Sequence, residues 1–119
     1  MFINLGHVRG NIHRFKGEYE DAQEKYNDAL EIQKELGDRS GIATTLLNVG
    51  NINELKGEYE DALEKYNDAL EIQKELGDRS GIAMTNAQLG VFYRKKEDLL
   101  TSLVSFLTAN RIFSEIGDI

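Results

Sequence analysis

Few residues in this 119-residue chain have the type and spacing that chemistry requires. His7 and His13 lie six positions apart, whereas two imidazoles that bind a metal from one helical face are four apart. The chain has no cysteine, which excludes disulfides, thiolate ligands and cysteine nucleophiles. There is no glycine-rich phosphate loop, and the many carboxylates indicate a solvated acidic face rather than acid-base machinery. We therefore expect no enzyme activity, no metal and no cofactor.

The charge balance also limits the classes of partner. Twenty-one acidic and 14 basic residues give a net charge of −7, which argues against nucleic acid because phosphate binding draws on clustered Lys and Arg. No apolar run approaches the roughly 18 residues of a membrane span. Residues 1–7 show no charged segment followed by an apolar one, so secretion is not indicated. We expect a cytoplasmic protein that binds neither nucleic acid nor membrane.

Three copies of one repeat fill the chain. Residues 17–43 recur at 57–83 with a single change in 27 positions, Gln23 becoming Leu63, so the period is 40 residues. A diverged third copy keeps the same register of small and aromatic residues, namely Gly10, Gly50 and Gly90; Ala29, Ala69 and Ala109; and Tyr26, Tyr66 and Phe106. The sequence predicts one domain over 1–119, with units at about 1–37, 38–77 and 78–119.

Within each unit the apolar residues follow a helical period. In the second copy this stripe steps by 3, 4, 3 and 4 through Tyr59, Ala62, Tyr66, Ala69 and Gln73. The pattern predicts a helix from just after Gly57 to Gly77, with Asp78 or Ser80 capping the next helix. We name the helix before Gly17, Gly57 or Glu97 the A helix and the one after it the B helix. The sequence thus predicts six helices, in three A/B hairpins, and no strand.

These residues resemble the tetratricopeptide repeat family. Its pattern W-x2-L-G-x2-Y…A-x3-F is similar to Asn86-x2-Leu89-Gly90-x2-Tyr93…Ser102-x3-Phe106 and to Leu46-x2-Val49-Gly50-x2-Asn53…Ala62-x3-Tyr66. Asn53 departs from the usual aromatic residue, and Arg9 stands where the first copy should have Leu. The 40-residue period and the junction ELGDRSGIA resemble the long variety of kinesin light chains and Gα-binding spindle-orientation scaffolds.

The resemblance implies an all-α solenoid, a right-handed superhelix whose A helices line a concave groove. It also implies a protein or peptide partner in that groove. The groove-facing positions that the resemblance assigns are Asn11, Arg14, Leu47, Asn48, Asn51, Glu54, Gln88 and Arg94.

The two helical layers differ in charge. The B segments 18–36 and 58–76 each hold seven acids and two lysines, whereas the A segments 1–16, 39–56 and 79–96 carry +3, +1 and +4. A basic A layer favours an acidic or C-terminal-carboxylate peptide. As an alternative, Arg14 and Arg94 simply complement the dipole at A-helix C-termini. Glu54, at the equivalent position of the second unit, interrupts the basic strip.

The third B helix carries a stripe that the other copies lack. Leu100, Val104 and Leu107 replace Glu60, Glu64 and Asn67 of the second unit. A helix that is apolar nearly all round is normally buried. The stripe therefore predicts a contact with a second copy or with a continuation of the chain, and the alternative is a large apolar patch left open to water.

Three functional hypotheses follow in order. The first is a scaffold that binds a protein or peptide through the concave A layer. The second is a self-associating module, a homodimer formed through the third B helix or by exchange of near-identical repeats between chains. An enzyme comes last, and only an activity lost on mutating His7 or His13 would support it.

Overall fold

The computed structural model of the chain describes the backbone of residues 5–117 and the side chains of residues 17–117. Over this range the chain forms only α-helices: α1 Leu5–Leu36, α2 Arg39–Leu55, α3 Tyr59–Leu76, α4 Arg79–Lys95 and α5 Leu99–Gly117. The all-α fold class, consistent with an α-solenoid, is confirmed. Helices α2 and α4 are A helices, whereas α3 and α5 are B helices.

The prediction of six helices is wrong for the first unit. Helix α1 is continuous over 32 residues and passes through Gly17, where a turn was expected. The same heptapeptide, KGEYEDA, recurs at 56–62, where residues 56–58 form a turn, with Gly57 at φ 80°, and α3 begins at Tyr59. In the second unit the buried Leu47 and Val49 help to hold α2 in the core. The first unit has His7 and Arg9 at these positions, so its sequence lacks the apolar residues that fold an A helix onto its B helix.

Each of the two complete hairpins closes over a glycine. A Cβ on Gly50 would lie 2.7 Å from the Tyr66 ring of α3, and one on Gly90 would lie 2.7 Å from the Phe106 ring of α5. Both distances are too short for real atoms, so only glycine admits the ring at these crossings. The repeated glycine and aromatic pair of the sequence thus sets how closely α2 packs on α3 and α4 on α5.

The core lies where the second and third units meet. Its buried cluster comprises Leu47, Ala62, Tyr66, Leu89 and Phe92, with Leu63, Leu70 and Tyr93 packed against it. The Phe92 ring meets Tyr66 edge-on at 6.2 Å between centroids, and it meets Tyr59 at 6.0 Å. Helices from both units contribute to one cluster, so the units are stabilised by each other rather than separately.

The junctions between units repeat the same hydrogen bonds. Gly37 and Gly77 end the B helices at φ 67°. The Asp38 and Asp78 carboxylates then accept hydrogen bonds from the backbone N–H groups of Gly41 and Gly81, both at 2.9 Å. Capping by Asp78 was one of two alternatives predicted from the sequence, and it is confirmed.

Side-chain bonds also link one unit to the next. Thr45 donates to Gln33 at 2.9 Å, and Thr85 donates to Gln73 at 2.7 Å. Within each hairpin an arginine at the start of the A helix pairs with a glutamate near the end of the B helix, Arg39 with Glu75 and Arg79 with Glu115. Across residues 5–117, no helix has the length and apolar character of a membrane span.

Candidate protein-binding surface

The A-helix surface of α2 and α4 brings polar and basic side chains together. Asn48 and Asn51 of α2 and Gln88 of α4 are half-buried, whereas Arg94 is exposed near the end of α4. The Glu54 carboxylate lies 3.9 Å from Lys95 Nζ, which places the C-terminal ends of the two A helices side by side. This surface therefore continues from one unit to the next.

Glu54 belongs to a buried polar cluster beneath this surface. Tyr66 Oη lies 2.7 Å from Asn51 Oδ1 and 3.1 Å from Glu54 Oε2, and its single proton is shared between these two acceptors. Glu54 is only 6% exposed, and its Oε1 has no hydrogen-bond partner among the described residues. Burial first, and then the charge and hydrogen bond of Glu54, raise the pKa of Tyr66 above its usual range. The tyrosine thus stays neutral and orients the Asn51 amide.

The structure alters the expected outline of the groove. Leu47 and Glu54 were predicted to face it, but both are buried, at 7% and 6% exposure. Leu47 joins the core because it packs in the same cluster as Phe92. The Glu54 carboxylate is therefore buried beneath the surface beside Lys95, and it does not interrupt the exposed basic residues. Asn11 and Arg14 lie outside the residues whose side chains the structure describes.

The stripe on α5 is exposed in the structure. Leu100, Val104 and Leu107 are 75%, 56% and 57% exposed. Two further residues of α5, Leu103 and Phe113, are 53% and 44% exposed. In the repeat register they match Leu63, which packs against the core, and Gln73, which bonds to α4. Helix α5 is thus apolar on two adjoining faces.

Sequence reasoning missed one polar group between the first two units. Gln23 Nε2 donates to Asn53 Oδ1 at 2.9 Å, and Lys56 Nζ donates to Gln23 Oε1 at 3.0 Å. Two signals were visible in the sequence, namely the single difference between the two copies and the polar residue at 53. Only the structure shows that these two departures touch each other.

Comparison with known proteins supports the fold that the repeats predict. A crystal structure of BtubC (BKLC) from P. vanneervenii superposes with a TM-score of 0.74 at 28% sequence identity, covering 83% of this chain. The chain spans 41% of the length of that protein. No curated protein matches the chain. The family model of the tetratricopeptide repeat matches residues 3–75. Together with the helical hairpins and their glycine and aromatic crossings, this match shows that the chain belongs to the tetratricopeptide repeat family.

Proposed function

We propose that this chain is a scaffold that binds an acidic peptide, or the C-terminal carboxylate of a protein, on the A-helix surface of α2 and α4. Tetratricopeptide repeats generally mediate protein–protein interaction. The observation that carries the acidic partner is the exposed basic end of α4, Arg94 to Lys96, next to the half-buried amides of α2. The acidic residues of 18–36 and of α3 would repel the same ligand, which favours the A surface.

The polar cluster supports a defined role for Asn51. Because the Tyr66 hydroxyl already donates to the Asn51 oxygen, Asn51 would meet a peptide through its amide nitrogen, as a donor to a backbone carbonyl. Arg94 would supply the charge-assisted bonds to a carboxylate. In the proposed site the Asn51 amide thus binds the peptide backbone, and the Arg94 guanidinium binds a carboxylate of the peptide.

Binding of a defined probe tests this proposal. The probe is a fluorescent eight-residue peptide rich in Asp and Glu, made with a free C-terminal carboxylate, with a C-terminal amide, and with Lys replacing every acid. We expect Arg94→Ala to weaken binding of the acidic peptide about tenfold or more, the value of a charge-assisted hydrogen bond. Asn51→Ala removes a neutral hydrogen bond and should weaken binding about two- to tenfold. The control Glu64→Ala, on the exposed face of α3, should leave the affinity unchanged.

The three peptides separate the possible ligand chemistries. Preference for the free carboxylate over the amide would assign terminal recognition, and equal binding of the two would assign acidic side chains. Equal losses in Glu64→Ala and Arg94→Ala, or preference for the Lys peptide, would contradict the A-surface assignment.

The α5 stripe favours a second candidate function, self-association. Full burial of each of Leu100, Val104 and Leu107 would contribute roughly 1.5–3 kcal/mol to the free energy of association. Association itself costs several kcal/mol, so a micromolar homodimer is the reasonable expectation. Sedimentation of the double variant Leu100→Glu and Leu107→Glu tests it. The parent chain should dimerise reversibly and the variant should stay monomeric; a parent that is monomeric at high concentration would overturn the hypothesis.

We also propose that the chain is of the long-repeat variety that resembles kinesin light chains. The 40-residue period supports this assignment. It predicts that longer B helices, rather than inserted loops, account for the extra residues of each unit, in keeping with the 18-residue α3 and the 19-residue α5.

A further inference from the structure

The two near-identical copies differ at one position, and that position faces the next repeat unit. Residues 17–43 and 57–83 match at 26 of 27 positions, with Gln23 in the first copy and Leu63 in the second. Each residue lies on a B segment that precedes a different A helix. The two copies can therefore be distinguished during folding only through Gln23 and Leu63 or through the A helices that these two residues contact.

The first junction uses a polar pair, Gln23 and Asn53. The Gln23 amide donates to Asn53 Oδ1 at 2.9 Å and accepts from Lys56 Nζ at 3.0 Å. Asn53 is only 4% exposed, so its oxygen depends on this protein partner rather than on solvent. Gln23 and Asn53 thus complement each other across the junction, because the buried Asn53 oxygen receives its hydrogen bond from the adjoining unit.

The second junction uses an apolar pair at the same two positions, Leu63 and Tyr93. Both side chains pack against the core cluster that contains Phe92. The equivalent lysine changes its role as well. Lys56 donates to Gln23 at the first junction, whereas Lys96 lies over the rings of Tyr59 and Phe92 at 6.0 and 5.7 Å. The two junctions thus repeat the aspartate caps and the Thr–Gln bonds. They differ in chemistry at this pair of positions and at the lysine beside it.

We propose that the polar pair and the apolar pair form a pairing code that keeps the near-identical repeats in order and opposes their exchange between chains. If the first B segment packed on α4, Gln23 would meet Tyr93 in place of an amide. If α3 took the place that the first B segment occupies against α2, Leu63 would cover the Asn53 amide and leave it without its partner. A buried amide that loses its hydrogen bond costs more than the bond contributes when formed, so both wrong pairings are penalised.

A double-mutant cycle in the full chain tests the coupling. Gln23→Leu leaves the Asn53 amide unpaired, and Asn53→Tyr places a ring against Gln23. We expect each single variant to lower Tm by about 4 °C or more. The double variant recreates the apolar pair at the first junction and should recover most of that loss. Strictly additive losses would overturn the proposal.

A variant of unchanged composition serves as the matched control. Gln23→Leu combined with Leu63→Gln swaps the two residues, so both junctions become mismatched while every residue type is retained. We expect it to have a lower Tm than the parent. An unchanged Tm would show that stability does not depend on which of the two residues faces Asn53 or Tyr93, and it would also overturn the proposal.

Exchange between chains is measured separately by mass in solution. The chains are unfolded, refolded at high concentration and then diluted at low temperature. Dimers formed through the α5 stripe dissociate on dilution, whereas dimers formed by repeat exchange persist until the chain unfolds. The double variant Gln23→Leu and Asn53→Tyr, whose junctions are alike, should leave severalfold more persistent dimer than the parent. An equal fraction in the parent would contradict a role against exchange.

Discussion

Positions 17, 57 and 97 occupy the same place in three repeat units, yet their backbones differ. Gly17 lies inside α1, Gly57 has φ 80°, and Glu97 has φ 63°. The left-handed region costs a residue with a Cβ roughly 1–2 kcal/mol. The third unit therefore holds a strained glutamate where the second has glycine.

Replacing this glutamate should stabilise the protein. We expect Glu97→Gly to raise the free energy of unfolding by about 1 kcal/mol, because glycine adopts the left-handed conformation without strain. Chemical denaturation measures the change, with Glu97→Ala as the control that removes the charge but keeps the strain. If alanine stabilises as much as glycine, charge rather than backbone conformation is the cause.

The buried tyrosine predicts a dependence of stability on pH. Burial and Glu54 raise the pKa of Tyr66 in the folded chain, while the unfolded chain loses that proton near the usual value of about 10. Above about pH 10 the folded state binds more protons than the unfolded state, so stability falls as pH rises, by up to about 1.4 kcal/mol per pH unit.

Comparison with a phenylalanine variant isolates this effect from other titrating groups. Denaturation of the parent and of Tyr66→Phe is followed from pH 8 to 11.5. The variant loses the hydrogen bonds to Asn51 and Glu54 at every pH, but its stability should fall less steeply above pH 10. Parallel curves for the two proteins would show that Tyr66 does not hold its proton in the folded state.

At the scale of the elements, the heptapeptide KGEYEDA lies once wholly within a helix and once across the turn before α3 and the first residues of that helix. We expect Gly17→Ala to stabilise the protein by roughly 0.5–1 kcal/mol, since alanine favours a helix and nothing lies within 4 Å of its Cβ position. Gly57→Ala should destabilise it by about 1–2 kcal/mol because of its positive φ. Thermal denaturation of both variants measures the two signs. A destabilised Gly17→Ala would indicate that the first unit turns as the second does.

Much of α2 to α5 could be predicted because their signals are local. The helical stripe, the terminating Gly77 and the capping Asp78 act within a few residues of one another. The continuity of α1 could not be predicted in this way, because an identical heptapeptide gives opposite results. The outcome depends on whether the preceding segment supplies core residues such as Leu47 or polar ones such as His7.

The candidate surface was predictable only in part, for a related reason. The stripe of Leu100, Val104 and Leu107 was found by aligning one copy with the next, where charged and polar residues occupy the same outward-facing positions. The burial of Glu54 depends on Tyr66, on a different helix, and on Lys95, in the next unit. The same holds for Gln23 and Asn53, which are 30 residues apart. Contacts between units cannot be predicted from local sequence patterns, because the residues that meet are far apart in the chain.

At the scale of the whole molecule, the B layer is acidic over residues 18–36 and on α3, whereas α5 is apolar. The exposed end of α5 presents Leu103 and Phe113 where inner units use packing and a hydrogen bond to hold the following A helix. A following helix built like α4, with threonine at position 85, would find no glutamine to accept its hydrogen bond. This end therefore suits an apolar contact better than a further copy of the inner repeat.

The proposed pairing code has a consequence for unequal gene recombination, because the one-residue difference between the copies would separate the products that have matched junctions from those that do not. A crossover between the repeated segments can add one 40-residue unit. In one product residues 1–62 are joined to residues 23–119, and in another residues 1–63 are joined to residues 24–119. The first product places Gln23 before an A helix carrying Asn53, so all its junctions match. The second places Leu63 before Asn53. The two longer proteins differ at a single residue, and we expect the first to have the higher Tm by calorimetry. If the pairing code holds, growth of this array is favoured when the exchange occurs upstream of that position.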